Sequence, residues 1–198
     1  MEAFNQSLFL LINAPAHPAA LVLTVAVFLA QYAVLAIPAA FVVAWLRGGE
    51  ATREALLLAT FTVVVGLLLG YVIGAIWPHP RPFAIGLGHT HLEHVADASF
   101  PSDHLTLIWA VAFSFLLDRR TRIVGYLLAF LGLPVAVARI YLGVHFPFDM
   151  AGAAAVAAFS AWLCRREAHW LVKPVLPWTL MAYRRLFGPL IRRRWVAE

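Results

Sequence analysis

The 198 residues are 63% hydrophobic and only 13% charged, with a mean hydropathy of +0.82. A soluble domain carries about twice that share of charge, so a water-soluble fold is excluded and the surrounding solvent is a bilayer. A single cysteine, Cys164, excludes an internal disulfide framework and a CxxC metal site. The net charge of +5 would suggest a nucleic-acid partner in a soluble chain, so the positions of the charges matter more than their sum.

Residues 1–17 lack the basic start of a secretory signal. Phe4, Leu8, Leu11 and Ile12 recur at helical spacing against Asn5, Gln6 and Asn13. This predicts a short amphipathic helix in the interface, with a frayed terminus as the alternative. Apolar runs then predict spans at 19–45, with a kink at Pro38, and at 56–77, ended by Pro78, Pro80 and Pro82. A third, short span starts near Asp103 and ends at Leu117. A fourth covers 123–141 with Pro134 inside, and a fifth covers 147–163, rich in small residues that allow close helix packing. From 166 to 198 the chain alternates Trp170, Trp178, Tyr183 and Trp195 with arginines. That pattern predicts a basic amphipathic tail on anionic lipid; nucleic acid is the lesser alternative. The expected fold is therefore all-α. It is one integral membrane bundle of about five transmembrane helices (18–165), flanked by interfacial N-terminal and C-terminal amphipathic helices.

Basic residues divide unevenly. Arg47 and Arg53, then Arg119, Arg120 and Arg122, and then the whole tail fall at one end of such a bundle. Only Arg81 and Arg139 of the fifteen fall at the other. The positive-inside rule places the tail in the cytoplasm and the other end outside. Topology works against the two outward arginines, so they need another reason.

Three polar islands lie at that outward end. In the third, Pro147 suits the first position of a helix. His145 then precedes the helix and Asp149 sits in its first turn, within reach of the imidazole. Such a contact fixes the tautomer and leaves the other nitrogen free as a nucleophile; a histidine that merely caps the helix is the alternative. The second island, Pro101-Ser102-Asp103-His104, offers an N-cap, free backbone N–H groups for an anion and a histidine to move a proton. A plain cap with an interfacial histidine is its alternative. The first holds Arg81 between two prolines, placed to clamp phosphate oxygens or to snorkel. Together they suit phosphoryl transfer without a metal. The rival is a zinc site from His89, His91 and His94 beside Glu93, whose spacing is not that of a helical zinc pair.

Arg81-Pro82, Pro101-Ser102-Asp103-His104, and Arg139 with His145 and Asp149 resemble the three signature motifs of the type 2 phosphatidic acid phosphatase superfamily. Order, spacing and membrane face agree over roughly residues 54–165. The resemblance implies His145 as nucleophile and Asp149 as its orienting carboxylate. It implies His104 as the acid for the leaving group, and Arg81, Arg139 and the Ser102 region as phosphate ligands, with no metal and no cofactor. The family's first motif begins with a lysine seven residues before its arginine; here that position is Gly74, and His79 is a candidate replacement. Asp103 stands where most members have glycine. The run from Asp97 to His104 is similar to the bacterial undecaprenyl-diphosphate phosphatases of this superfamily. Those act on a lipid diphosphate at the outer face of the cytoplasmic membrane, recycle the cell-wall lipid carrier and confer bacitracin resistance. Another lipid phosphate, such as phosphatidylglycerophosphate or phosphatidic acid, remains open as substrate. So does a transporter or otherwise inactive relative, which the missing lysine would favour.

Overall fold

A computed structural model describes all residues, 1–198. Apolar runs without exposed polar backbone leave only helices as spanning elements, and the chain is helical throughout, with no strand. In order the helices are α1 (Glu2–Ile12), α2 (Ala20–Val27), α3 (Ala36–Arg47), α4 (Glu50–Ile76), α5 (Asp103–Leu116), α6 (Arg122–Tyr141), α7 (Pro147–Arg166), α8 (Ala168–Leu171) and α9 (Leu176–Arg192).

The bundle is organised around a short apolar helix, α5. α5 packs against α4, α6 and α7, and Leu105, Ile108, Trp109 and Ala112 on it are buried in the main core with Val135, Ile140, Ala153 and Ala157. Its fourteen residues rise only about 21 Å, less than the ~30 Å hydrocarbon thickness. Four other helical segments are long and apolar enough to cross a membrane: Ala20–Arg47, Glu50–Ile76, Arg122–Tyr141 and Pro147–Arg166. The protein is thus a multi-pass membrane protein, with the expected third span enclosed by its neighbours.

The first span is one 28-residue rod, Ala20–Arg47, but its middle is not α-helical. Phe28–Tyr32 forms a π turn and Ala33–Leu35 a 3-10 turn. Pro38 has no N–H for the Val34 carbonyl, and its ring crowds that carbonyl. Upstream of Pro38, where a kink is expected from sequence, the span thus changes helix type over residues 28–35.

α1 lies across the ends of α6 and α7. Asn5 and Phe9 are buried. Asn5 Oδ1 accepts from the Phe148 N–H at 3.0 Å, and Phe9 meets Phe146 edge to face. Asn13 ties the same end down, donating to the carbonyls of His89 and Tyr141 at 2.9 and 3.1 Å.

At the opposite end α9 packs on α4 through Leu180 and Tyr183, both buried. Arg53, read from the sequence as a topology charge, is 1% exposed. Its guanidinium donates to the carbonyls of Trp45, Ala197 and Glu198 at 3.1, 3.1 and 2.7 Å. It also stacks 4.1 Å above the Tyr183 ring, whose hydroxyl donates to Ala197. Charge-assisted hydrogen bonds of this kind contribute about 1.5–3 kcal/mol each. Arg53→Ala is expected to release residues 193–198, so that limited proteolysis cuts there roughly tenfold faster or more. An unchanged cleavage rate would show that the arginine does not hold the segment.

Candidate active site

The site forms where the loop after α4, the start of α5, the end of α6 and the start of α7 meet at one end of the bundle. Local sequence aims each side chain. α6 ends at Tyr141, and Gly143, with φ of +81°, turns the chain back. A Cβ there would run into the His89 carbonyl, so the turn requires glycine. The turn delivers His145 two residues ahead of Pro147, the first residue of α7, with Phe146 as the N-cap between them. Asp149 occupies the third position of that helix, where its Oδ2 accepts from the Phe146 N–H at 2.7 Å and caps it.

The same Oδ2 lies 3.1 Å from His145 Nδ1 and accepts from the Ser99 hydroxyl. His145 and Asp149 are each 1% exposed. At the other edge of the ring, Arg81 Nη1 lies 3.1 Å and Arg139 Nη2 3.2 Å from Nε2. Guanidinium groups only donate, so Nε2 presents its lone pair and the ring proton sits on Nδ1, facing the carboxylate. Burial, reinforced by the positive charge of Arg139 and Arg81 and only partly offset by Asp149, holds the imidazole down to about 3. The ring is therefore neutral at physiological pH.

Both arginines are buried, 4% exposed for Arg81 and 2% for Arg139. Arg81 also donates to the Val144 carbonyl at 2.9 Å, the Ala98 carbonyl at 3.3 Å and Asp97 Oδ1 at 2.8 Å. Burial pushes the Asp97 carboxyl up. The hydrogen bond and charge of Arg81, helped by His94, more than reverse this and leave it below the usual range. Arg139 Nη1 donates to the Ala30 carbonyl at 3.0 Å, so the irregular stretch of the first span anchors this arginine. Its Nε, like Ser102 Oγ, is buried with no protein partner. Such orphaned groups are rare and costly in protein interiors, and these two belong to residues proposed from sequence as phosphate ligands.

Ser102 is the N-cap of α5, and its own N–H donates to the Asp149 carbonyl at 3.4 Å, joining the second motif to the third. Pro101, buried, follows a cis peptide bond after Phe100. Asp103 and His104, in the first turn of α5, line a groove of about 400 Å³ whose other walls are Val34, Leu67, Tyr71 and Leu107. Arg81, Arg139, His145 and Asp149 thus touch directly, Ser102 joins through its backbone, and Asp103 with His104 face the apolar groove beside them.

Two sequence candidates can be placed. His79, the candidate for the absent lysine, has Nε2 3.3 Å from Glu2, its ring between Trp77 and Phe146, and its Nδ1 buried without a protein partner. Gly74 backs against Ala98, whose Cβ would lie 3.1 Å from a Cβ added there. The three clustered histidines also diverge. His89 contributes only its backbone N–H, to Asn13 Oδ1, the His91 ring contacts the Pro15 carbonyl, and the His94 ring turns toward the arginines. No three His, Cys, Asp or Glu side chains converge as metal ligands. Ser99 and His94 are the site neighbours that sequence reasoning missed. Ser99 lay inside the run from Asp97 to His104, one residue before Phe100, so its position was the available signal.

The PAP2 superfamily profile matches residues 55–173. YbjG of Escherichia coli strain K12, provisionally named an undecaprenyl-diphosphatase, is 37% identical over all of both chains. The undecaprenyl-diphosphatase BcrC of Bacillus subtilis strain 168 is 32% identical over 96% of each. Among solved structures, Aquifex aeolicus LpxE shares the fold with a TM-score of 0.64 at 23% identity, covering 82% of this chain and 95% of its own. With the three motifs meeting inside the matched region, this chain belongs to the PAP2 superfamily.

Proposed function

We propose that the chain hydrolyses a polyprenyl diphosphate, undecaprenyl diphosphate foremost, to the monophosphate through a phosphohistidine on His145. The observation that carries this reading is the lone pair of His145 Nε2 facing two buried guanidinium groups while Asp149 holds the opposite nitrogen. The arginines and the amides at the α5 N-terminus bind the oxygens of the terminal phosphate and stabilise charge in the transition state. Nε2 attacks that phosphorus, and the bond to the bridging oxygen breaks. His104 protonates the departing lipid phosphate, while the Nδ1 proton remains directed at Asp149. His104 then takes a proton from water, the water oxygen attacks the phosphohistidine, and inorganic phosphate leaves with Nε2 restored. The groove beside His104, apolar apart from Asp103 and His104, suits a substrate whose tail stays in lipid.

The names of YbjG and BcrC support the diphosphate substrate. Charge asymmetry supports an outward-facing site in a bacterial cytoplasmic membrane, with residues 166–198 on the cytoplasmic side against anionic lipid. The test is phosphate release by purified protein, with EDTA present, from undecaprenyl diphosphate, phosphatidylglycerophosphate and phosphatidic acid. Preferred turnover of the diphosphate is expected. Preference for another lipid would move the substrate, turnover of none would leave a non-catalytic membrane protein, and strong inhibition by EDTA would point to a metal.

A further inference from the structure

One histidine at the site has no part in the mechanism above. His94, on the loop between α4 and α5, places Nε2 3.3 Å from Arg139 Nη2. That same guanidinium nitrogen lies 3.2 Å from His145 Nε2, and the two imidazoles stand edge to face with centroids 6.2 Å apart. The far edge of His94 is fixed. Its Nδ1 lies 3.1 Å from the Val95 carbonyl oxygen and 3.9 Å from Asp97 Oδ1. Both are acceptors, so the neutral ring carries its proton on Nδ1 and receives Arg139 with the lone pair of Nε2.

We propose that His94 is a further ligand of the phosphate in this site, and that it binds the anion by taking a proton onto Nε2. The inference rests on the phosphatase reading. A phosphate oxygen held by Arg139 Nη2 comes within reach of the atom that Nη2 now touches. A lone pair facing that oxygen repels it, whereas an N–H attracts it. Burial, with the charges of Arg81 and Arg139, holds His94 below its ordinary value despite the Val95 carbonyl and Asp97. Asp103 and His104 on α5 and neutral His145 after α6 complete the titratable groups around it. A dianion set among them reverses the local field and favours the imidazolium. The site then gains one positive charge only when phosphate is bound. The His94 side chain is 22% exposed, against 1% for His145, so its proton can come from solvent.

Calorimetry of inorganic phosphate binding tests this on the full chain in detergent, in two buffers of different ionisation heat. The phosphate's own titration contributes equally to every variant. At pH 7.5 the wild type is expected to take up more protons per phosphate than His94→Gln, which keeps an N–H donor but does not titrate. At pH 6 that variant should bind roughly tenfold more weakly, with the gap closing toward pH 9. His94→Arg, carrying a permanent charge, should retain affinity at pH 9 and lose the extra proton uptake. Equal uptake and parallel pH profiles in wild type and both variants would overturn the proposal while leaving the phosphatase reading intact. No phosphate binding and no turnover by the wild type would overturn that reading and this one with it.

Discussion

His145→Ala should remove lipid-phosphate turnover, by roughly 10⁴-fold or more as for other covalent nucleophiles. No other side chain presents a lone pair to both arginines, so no second group can take over the attack. The substitution also leaves two buried guanidinium groups, Arg81 and Arg139, without the acceptor they share, and some loss of stability is expected. His145→Gln separates the two effects. Its amide oxygen can accept from the arginines but cannot carry phosphate through turnover, so a folded and inactive variant is expected. Residual activity within tenfold of wild type in either would remove His145 from the chemistry. Because burial, more than Asp149, sets its proton affinity and holds the ring down to about 3, His145 stays neutral and competent at every pH above about 4. Any acid limb of the rate nearer neutrality therefore belongs to another group. Stability follows the same sign. The unfolded imidazole, near 6.5, binds a proton before the buried one does, so the contribution of His145 is present above 6.5 and falls away as pH drops toward 3.

Asp149→Asn should lower kcat by about 10²–10⁴-fold with a smaller change in KM. Oδ2 of Asp149 accepts from three donors: the Phe146 N–H, the Ser99 hydroxyl and His145 Nδ1. An asparagine can satisfy the first two with its oxygen only by losing the charge that holds the Nδ1–H tautomer. With its NH₂ turned to the ring, Nδ1 must become the acceptor and the proton moves to Nε2, pointing at two guanidinium groups. The nucleophilic lone pair is then lost, while phosphate binding by the arginines persists. A measured kcat near wild type would show that the carboxylate only caps α7.

The bundle was largely legible because lipid removes most alternatives. Long apolar runs became α4, α6 and α7, and their ends shifted by only a few residues. α5 was read as a short span, and its enclosure by α4, α6 and α7 explains how so short a helix is accommodated. At the first span, where a kink was expected at Pro38, the structure shows a change from α to π and 3-10 geometry over Phe28–Leu35. In the site, the residues within the motifs were legible because spacing along one helix start places them: His145 and Asp149 are four apart across Pro147. Residues that reach the site or its frame from distant segments were not. Asn5 caps α7 from the other end of the sequence, Ala30 receives Arg139 through a π turn, and Arg53 serves a tail that begins more than a hundred residues later. His94 was seen only as part of a histidine cluster, and spacing cannot say which of three neighbouring rings turns inward from a loop.

The central claim is a covalent bond between phosphorus and His145. Its most direct test is rapid quenching of purified protein turning over a lipid diphosphate labelled in the terminal phosphate, followed by peptide mapping at alkaline pH, where phosphohistidine survives. Label on His145, absent from His145→Gln, is the expected result. Turnover with label on a different residue, or with no labelled protein at any quench time, would contradict it.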